Sequence, residues 1–238
     1  MTKRDLPFYS LRVFLFAPVK RAIDIFGSII LLIIFSPLML VTAVLVYKTS
    51  KTGIVSKYPQ KGHADNLLDN IFFHQKRVGR GKEFDMYKFH SMYIADNDNF
   101  LKSEYPKLWK KYKANDWKLS ANEDPRITPI GKFIRATSID EMPQFINVLK
   151  GDMSLVGPRA YRDQELHEYA QKYPQTKKYI EVIRTAKPGI TGLWQVSGRN
   201  DLPFEKRAKM DADYIENRSL RQEIAIIFKT PMAMFSHW

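Results

Sequence analysis

The sequence predicts an α+β protein: a mainly helical, membrane-associated domain with a small β-hairpin, behind an N-terminal membrane helix. Three observations predict it. Ile25 to Tyr47 is a run of 23 uncharged residues with Ser36-Pro37 at its centre. In "NIFFHQKRVGRGKEFDMYKFHSM", residues 70 to 92, aromatic and apolar residues flank Gly79-Arg80-Gly81, the pattern of a hairpin with a tight glycine turn. Beyond residue 160 the chain reads as mostly helical, with breaks at Pro174, Pro188-Gly189 and Pro203.

As a straight helix the apolar run would measure roughly 34 Å, enough for a hydrocarbon core of about 30 Å. Pro37 has no N–H and crowds the carbonyl of Ile33, and the Ser36 hydroxyl can bond back to Leu32, so a bend is expected at mid-run. Each half would then cross about half the bilayer. Residues 1 to 61 carry nine Lys/Arg against Asp5 and Asp24, a net +7 of the chain's +13. Both flanks of the run are basic, which favours returning both ends to one face. A kinked single span is the alternative that these features leave open.

The rest of the composition narrows the chemistry. With no cysteine there is no disulfide, thiolate metal site or cysteine nucleophile. The five histidines fall in no metal-ligand spacing, and neither GxxxxGK[ST] nor GxGxxG occurs. The run is too long for a signal-peptide core and has no small-residue cleavage site after it. "YPKLWKKYKANDWK", residues 105 to 118, interleaves Trp109, Tyr112 and Trp117 with five lysines, which suits a lipid surface, a solvated helix face or single-stranded nucleic acid. Membrane lipid is the expected partner for the positive charge, and no nucleic acid is expected. The apolar C-terminal segment is interrupted by Lys229 and Pro231 too early for a span, so it should lie along the interface or pack on the core.

The stretch richest in chemistry is "IRATSIDEMPQFINVLKGDMSLVGPR", residues 134 to 159, with Asp140-Glu141 between Arg135 and Arg159. Ser138 and Glu141 fit a capping box and Pro143 fits a helix start, so the carboxylates are expected at the positive end of a helix. Adjacent residues on a helix point about 100° apart, so the pair cannot share one proton. One carboxylate attacking while the other holds a divalent ion is one reading; ordinary helix capping is the other. "KPGITGLWQVSGRN", residues 187 to 200, suits a nucleotide or diphosphate through exposed N–H groups and an arginine, and equally suits a structural loop.

Taken in order, "KRAIDIFGSIILLIIFSPLML", "QKRVGRGKEFDMYKFHSM", "DPRITPIGKFIRATSIDEMPQFINVLKGDMSLVGPR", "KPGITGLWQVSGRN" and "DADYIENRSL" resemble the bacterial sugar transferases known as monotopic polyprenyl-phosphate phosphoglycosyl transferases. The resemblance runs from about residue 20 to 235, and its third piece is the most specific. It implies an enzyme that moves a sugar 1-phosphate from a UDP-sugar to undecaprenyl phosphate, releases UMP, and begins assembly of an exopolysaccharide, capsule or O-antigen type glycan. It further implies Asp140 as nucleophile of a phosphosugar-aspartate intermediate and Glu141 as ligand of Mg²⁺. Arg135, Arg159 and Asp211 match active-site positions, and Lys88, Pro188, Gly189, Gln195 and Arg199 match the substrate side.

In such relatives Ser-Pro marks a re-entrant break, so residues 1–50 are expected as an N-terminal segment with a re-entrant helix broken at Ser36-Pro37. Residues 51–238 are expected as a catalytic domain with interfacial helices, on the cytoplasmic face of the bacterial inner membrane. The several spans that precede the domain in larger relatives are missing, which makes this the short form, and a homo-oligomer is left open. The chain departs from the family pattern at His90, where arginine is usual, at Ala160 in place of proline, and at Arg218, where tryptophan is common. A membrane-tethered basic protein that binds anionic lipid or nucleic acid is the competing reading.

Overall fold

A computed structural model describes residues 7–51, 67–93, 97–115, 119–198 and 201–235. In chain order these form α1 (Pro7–Lys51), α2 (Leu67–Ile71), β1 (Phe72–Gly79), β2 (Lys82–Phe89), α3 (Asn97–Glu104), α4 (Pro106–Ala114) and α5 (Pro129–Ala136). A 3-10 turn over Ile139–Glu141 leads to α6 (Gln144–Lys150), β3 (Ser154–Val156), α7 (Asp163–Lys172), α8 (Lys177–Thr185), β4 (Gly189–Thr191), α9 (Phe204–Asn217) and α10 (Leu220–Phe235). Contacts gather the chain into two compact units, one of Met1–Ile34, Gln75–Met86 and Gln144–Trp238, the other of Phe35–His74 and Tyr87–Pro143.

Helix α1 is a single 45-residue α-helix that continues through Ser36-Pro37, where the sequence leads one to expect a bend. One proline removes one backbone donor, while giving up the neighbouring helical bonds would strand several polar groups beside apolar side chains. Its polarity pattern is that of a helix in lipid. Within the first unit Asp24 and Ser28 are buried, whereas Phe26 is 66% and Ile33 68% exposed. Phe16–Thr49 is the one helical stretch among the described residues long and apolar enough to cross a membrane.

The first unit holds α1 by polar groups. The Asp24 carboxylate accepts from Ser154 Oγ at 2.8–2.9 Å and from Leu155 N–H at 3.0 Å. Lys20 reaches the buried Glu223 at 2.5 Å, and Arg21 donates to the Val148 and Leu149 carbonyls at 2.6 and 2.9 Å, closing the C-terminal end of α6. Arg218, the replacement for a common tryptophan, lays its guanidinium 5.2 Å from the Phe16 ring centre. The core of this unit centres on Phe204, stacked on Tyr169 at 3.7 Å, with Tyr161, Leu166, Ile180, Ile183 and Ala208.

A small parallel pair, β3 with β4, is an element that the sequence did not announce. Its strands carry three residues each, too few for an alternating pattern to register. Gly157 and Gly189 let the two backbones interlock: a Cβ on Gly189 would lie 2.0 Å from Gly157 N, and one on Gly157 2.6 Å from Gly189 N. The breaks expected at Pro174, Pro188-Gly189 and Pro203 all occur, but α10 continues through Lys229 and Pro231. It buries Glu223 and Ile226 and leaves Ile224, Phe228 and Met232 exposed as one stripe at four-residue spacing.

The hairpin forms as expected, with Arg80 (φ 51°) and Gly81 (φ 70°) as its turn. Two positive φ values match a type I′ turn and the twist of the strands. Gly79 belongs to β1 and is needed for another reason: a Cβ there would meet Pro188 Cδ at 2.5 Å. In the second unit, Val46, Phe89, Ile134 and Ile139 form a core with Met39 and Ala43 of α1 packed on it. The aromatic residues of α4 are engaged by the protein's own cations. Arg126, buried in a bidentate pair with Asp124, lies 4.5 Å from the Tyr112 ring centre, and Lys113 lies 5.6 Å from that of Trp109. Trp117 lies outside the described residues.

Gly189→Ala tests the β3–β4 interlock against a glycine required by conformation alone. Gly189→Ala should cost about 3 kcal/mol, the upper range for overpacking, seen as a fall in Tm of roughly 6–12 °C. Gly81→Ala, with nothing within 4 Å of the new methyl, should cost only about 1–2 kcal/mol for its left-handed backbone. Equal falls in thermal unfolding would refute the interlock.

Candidate active site

In the second unit the chain between α5 and α6 builds an acidic turn. Thr128 caps α5 by accepting from Gly131 N–H at 2.9 Å, Pro129 takes the first helical position, and the helix ends with Arg135 in its last turn. Ser138 then adopts a left-handed conformation (φ 56°, ψ 19°), and Glu141 N–H and Met142 N–H close back on the Ser138 and Ile139 carbonyls. A non-glycine residue held there is strained backbone that the surroundings must enforce, and such strain gathers at functional sites.

The expected capping box does not form. Ser138 makes no side-chain cap bond, the carboxylates lie on the 3-10 turn, and α6 begins only at Gln144, after Pro143. Both donors that a box would use are taken by the backbone, Ser138 N–H by the Arg135 carbonyl and Glu141 N–H by the Ser138 carbonyl, each at 3.2 Å, and seven residues of helix supply little dipole. Neighbouring cations supply the field instead. Lys88, on β2, places Nζ 2.6 Å from Glu141 Oε1 and 3.9 Å from Asp140 Oδ2. Burial pushes the Asp140 carboxyl up to about 6, the Lys88 charge opposes that, Glu141 adds to it, and Arg135 opposes it again. At neutral pH this carboxyl is therefore mostly ionised yet poorly hydrated, the condition of a usable nucleophile. Glu141 is more open, its side chain 35% exposed.

The structure thus brings together Lys88, Arg135, Asp140 and Glu141. His90, the departure from the family's arginine, is drawn into packing. Its Nε2 donates to the Asp69 carbonyl at 3.0 Å, its ring meets Phe73 edge-on at 5.6 Å, and burial holds its pKa below the ordinary value. It is neutral at pH 7 and carries no charge for a phosphate.

The first unit assembles Arg159 and Asp211. Asp211 Oδ2 accepts from Arg159 N–H at 3.3 Å, Trp194 Nε1 at 3.2 Å and Tyr161 Oη at 3.5 Å, while Oδ1 is buried with no partner. Complete burial pushes this carboxyl up to about 7 against those donors and the Arg159 charge. Trp194 and Tyr161 are functional neighbours that sequence reasoning missed. A buried indole N–H must find an acceptor, but nothing in the spacing says that the acceptor is Asp211.

Pro188 and Gly189 are buried, and Gly189 N–H is bonded to the Pro158 carbonyl at 2.8 Å, so that N–H is turned to the protein and away from any nucleotide. Gln195 donates to the Ile190 carbonyl at 3.2 Å, and its Oε1 is buried without a hydrogen-bond partner. Arg199 lies outside the described residues.

A Mg²⁺ ion fits the acidic turn. It favours hard oxygen ligands and commonly takes only one or two carboxylates, completing its shell with water and substrate phosphates. Glu141, part exposed beside Asp140, meets that requirement. Among the described residues no group of three or more His, Asp or Glu side chains offers a fuller cage.

The profile described as "Bacterial sugar transferase" matches residues 63–237. The chain is 45% identical over 222 residues to the undecaprenyl-phosphate galactose phosphotransferase of Salmonella typhimurium, covering 89% of this chain and 39% of that protein. It is 36% identical over 217 residues to the UDP-glucose:undecaprenyl-phosphate glucose-1-phosphate transferase of Klebsiella pneumoniae, covering 89% and 39%. With the exopolysaccharide production protein ExoY of Sinorhizobium fredii it shares 34% over 214 residues, covering 89% and 83%. The chain spans about two fifths of the length of the first two relatives and most of the third. By this similarity, on most of its length, the chain belongs to the bacterial sugar transferase family.

Proposed function

We propose that the chain transfers a sugar 1-phosphate from a UDP-sugar to undecaprenyl phosphate through a covalent intermediate on Asp140. The observation that carries this reading is the buried, ionised Asp140 carboxylate beside Lys88, on a turn strained at Ser138. In the first step an Asp140 carboxylate oxygen attacks the phosphorus that bears the sugar. The bond from that phosphorus to the bridging oxygen breaks, and UMP leaves with the electron pair. In the second step an oxygen of undecaprenyl phosphate attacks the same phosphorus, and the acyl-phosphate bond breaks. The products are undecaprenyl diphosphate sugar and the free carboxylate.

Such transfers depend on positioning and charge neutralisation more than on proton transfer. Lys88 and Arg135 supply fixed positive charge at the acidic turn. Mg²⁺ held by Glu141 would neutralise diphosphate oxygens and orient the donor. Arg159 and the acceptor Gln195 Oε1 are assigned to the nucleotide sugar, and Asp211 to holding Arg159 in place.

We assign the catalytic domain to the cytoplasmic face of the bacterial inner membrane, with α1 dipping into the bilayer and returning. Support comes from the basic residues Lys20, Arg21 and Lys48 on both flanks of the run, and from its outward apolar and inward polar faces. The bend would fall at Pro37 within a continuous helix. Because the relatives' names carry galactose, glucose and N-acetylgalactosamine, UMP release across a panel of UDP-sugars with undecaprenyl phosphate is the assay that identifies the donor.

Asp140→Asn should lower turnover on the order of 10⁴-fold or more and remove the covalent adduct from mass spectra of quenched enzyme; normal turnover in that variant would end the assignment. In a pH series, kcat should fall with acid, with a limb near pH 6, because the attacking form is the carboxylate whose pKa burial has raised to about 6. Lys88→Met removes a charge that pulls this pKa down, so its limb should move to higher pH. A move to lower pH would show that Lys88 does not act on Asp140. Chelation should abolish UMP release and added Mg²⁺ restore it, and Glu141→Gln should raise the Mg²⁺ requirement roughly tenfold or more, the scale on which lost metal contacts act.

A further inference from the structure

Outside the acidic turn, the first unit gathers cations at a corner that stability alone does not explain. Lys20 and Arg21 come from α1, Arg80 from the hairpin turn, and Lys187 from the segment entering β4. A Cβ added to Gly151 would lie 3.7 Å from Arg21 Nη2 and 3.9 Å from Lys187 Nζ, so both cations flank one point. Gly151 itself sits at φ 91°, a conformation that keeps the point clear of a side chain. Partial burial lowers the Lys187 pKa, with Arg80 and Arg21 the next causes and Asp24 opposing. Among the described residues Lys187 forms no hydrogen bond or ion pair, and Arg21 is engaged only by carbonyls. Arg80 adds to the oddity. It holds a left-handed turn position that Asn, Asp or Gly fills at less cost, and its N–H bonds to the Ala186 carbonyl at 2.9 Å, which sets a third like charge next to Lys187 in the chain packed against it.

Like charges packed this closely repel, and an anion between them would reverse the sign. The depth of the corner names the anion. Lys20 and Arg21 lie one turn before the apolar run that begins at Ile25, and the same helix turns Val19 and Phe26 outward. With α1 in the bilayer, that turn stands at the level of phosphate headgroups, where each Lys or Arg is worth about 1 kcal/mol toward anionic lipid. We propose that Arg21, Arg80 and Lys187 form a binding site for the phosphodiester headgroup of an anionic phospholipid, which seats the start of α1 at the membrane surface. The site rests on α1 being membrane-inserted and not on the chemistry at Asp140.

The test uses the full chain and two vesicle compositions, phosphatidylcholine alone and phosphatidylcholine mixed with phosphatidylglycerol. Lys187→Gln and Arg80→Gln should each weaken binding to the mixed vesicles roughly fivefold, leave binding to phosphatidylcholine unchanged and keep the wild-type Tm in detergent. Lys187→Arg should keep the affinity. Native mass spectrometry should show phosphatidylglycerol retained by wild type and lost from Lys187→Gln. Unchanged affinity in both glutamine variants, or equal loss on both vesicle types, would overturn the site. So would a Tm rise with inorganic phosphate or a UDP-sugar that Lys187→Gln abolishes while phosphatidylglycerol binding persists, since the anion would then be a soluble phosphate. Asp140→Asn should bind phosphatidylglycerol like wild type, so an error in the transferase assignment leaves this result readable.

Discussion

The first unit grips α1 through the few polar groups that the helix carries there, and Asp24 is the group on which that grip turns. A lone carboxylate buried beside an apolar run would cost several kcal/mol. Here it accepts from the Ser154 hydroxyl, which lies within reach of both carboxylate oxygens, and from Leu155 N–H, and has the Lys20 ammonium 3.6 Å away. Lys20 and Arg21 extend the grip to Glu223 and to the carbonyls that end α6. The acids and bases of α1 thus act as mortises for the first unit, while Phe26, Ile29, Ile30 and Ile33 of the same stretch remain exposed.

The same economy of charge shapes the acidic turn. Asp140 and Glu141 are neighbours in sequence but differ in environment: one is buried, the other is part exposed and already paired with Lys88. A resident ammonium stands beside both carboxylates, and its charge opposes the burial that raises the Asp140 pKa. Asp211 solves a different problem. Three donors converge on one of its oxygens and oppose the desolvation that pushes this carboxyl up to about 7.

Where local chemistry decides the structure, the sequence was legible. Gly81 after Arg80 makes the tight turn, Pro174 and Pro188 follow the ends of α7 and α8, Pro203 opens α9, and the apolar run becomes a helix because nothing else satisfies its backbone. Where the outcome depends on partners far along the chain, it was not. The Ser138–Glu141 spacing suggested a cap, but Pro143 and the left-handed Ser138 produce a 3-10 turn whose field comes from Lys88, 53 residues away. The acids at 140 and 141 stand side by side as expected from their spacing, but on a 3-10 turn and not at a capped helix start. The parallel pairing of β3 with β4, and the contacts of Trp194 and Tyr161 with Asp211, join segments with no periodic signal in common.

The interlocked glycines carry a consequence for how this protein can vary. Gly157, Gly189 and Gly192 meet backbone atoms at distances that admit only hydrogen where other residues have carbon. Every substitution at the first or second base of a glycine codon introduces such a carbon, so nearly all coding change at these positions enlarges the side chain. The corner that presents Arg159 and Gln195 is thus genetically brittle, and variation there has to be written in the side chains around it.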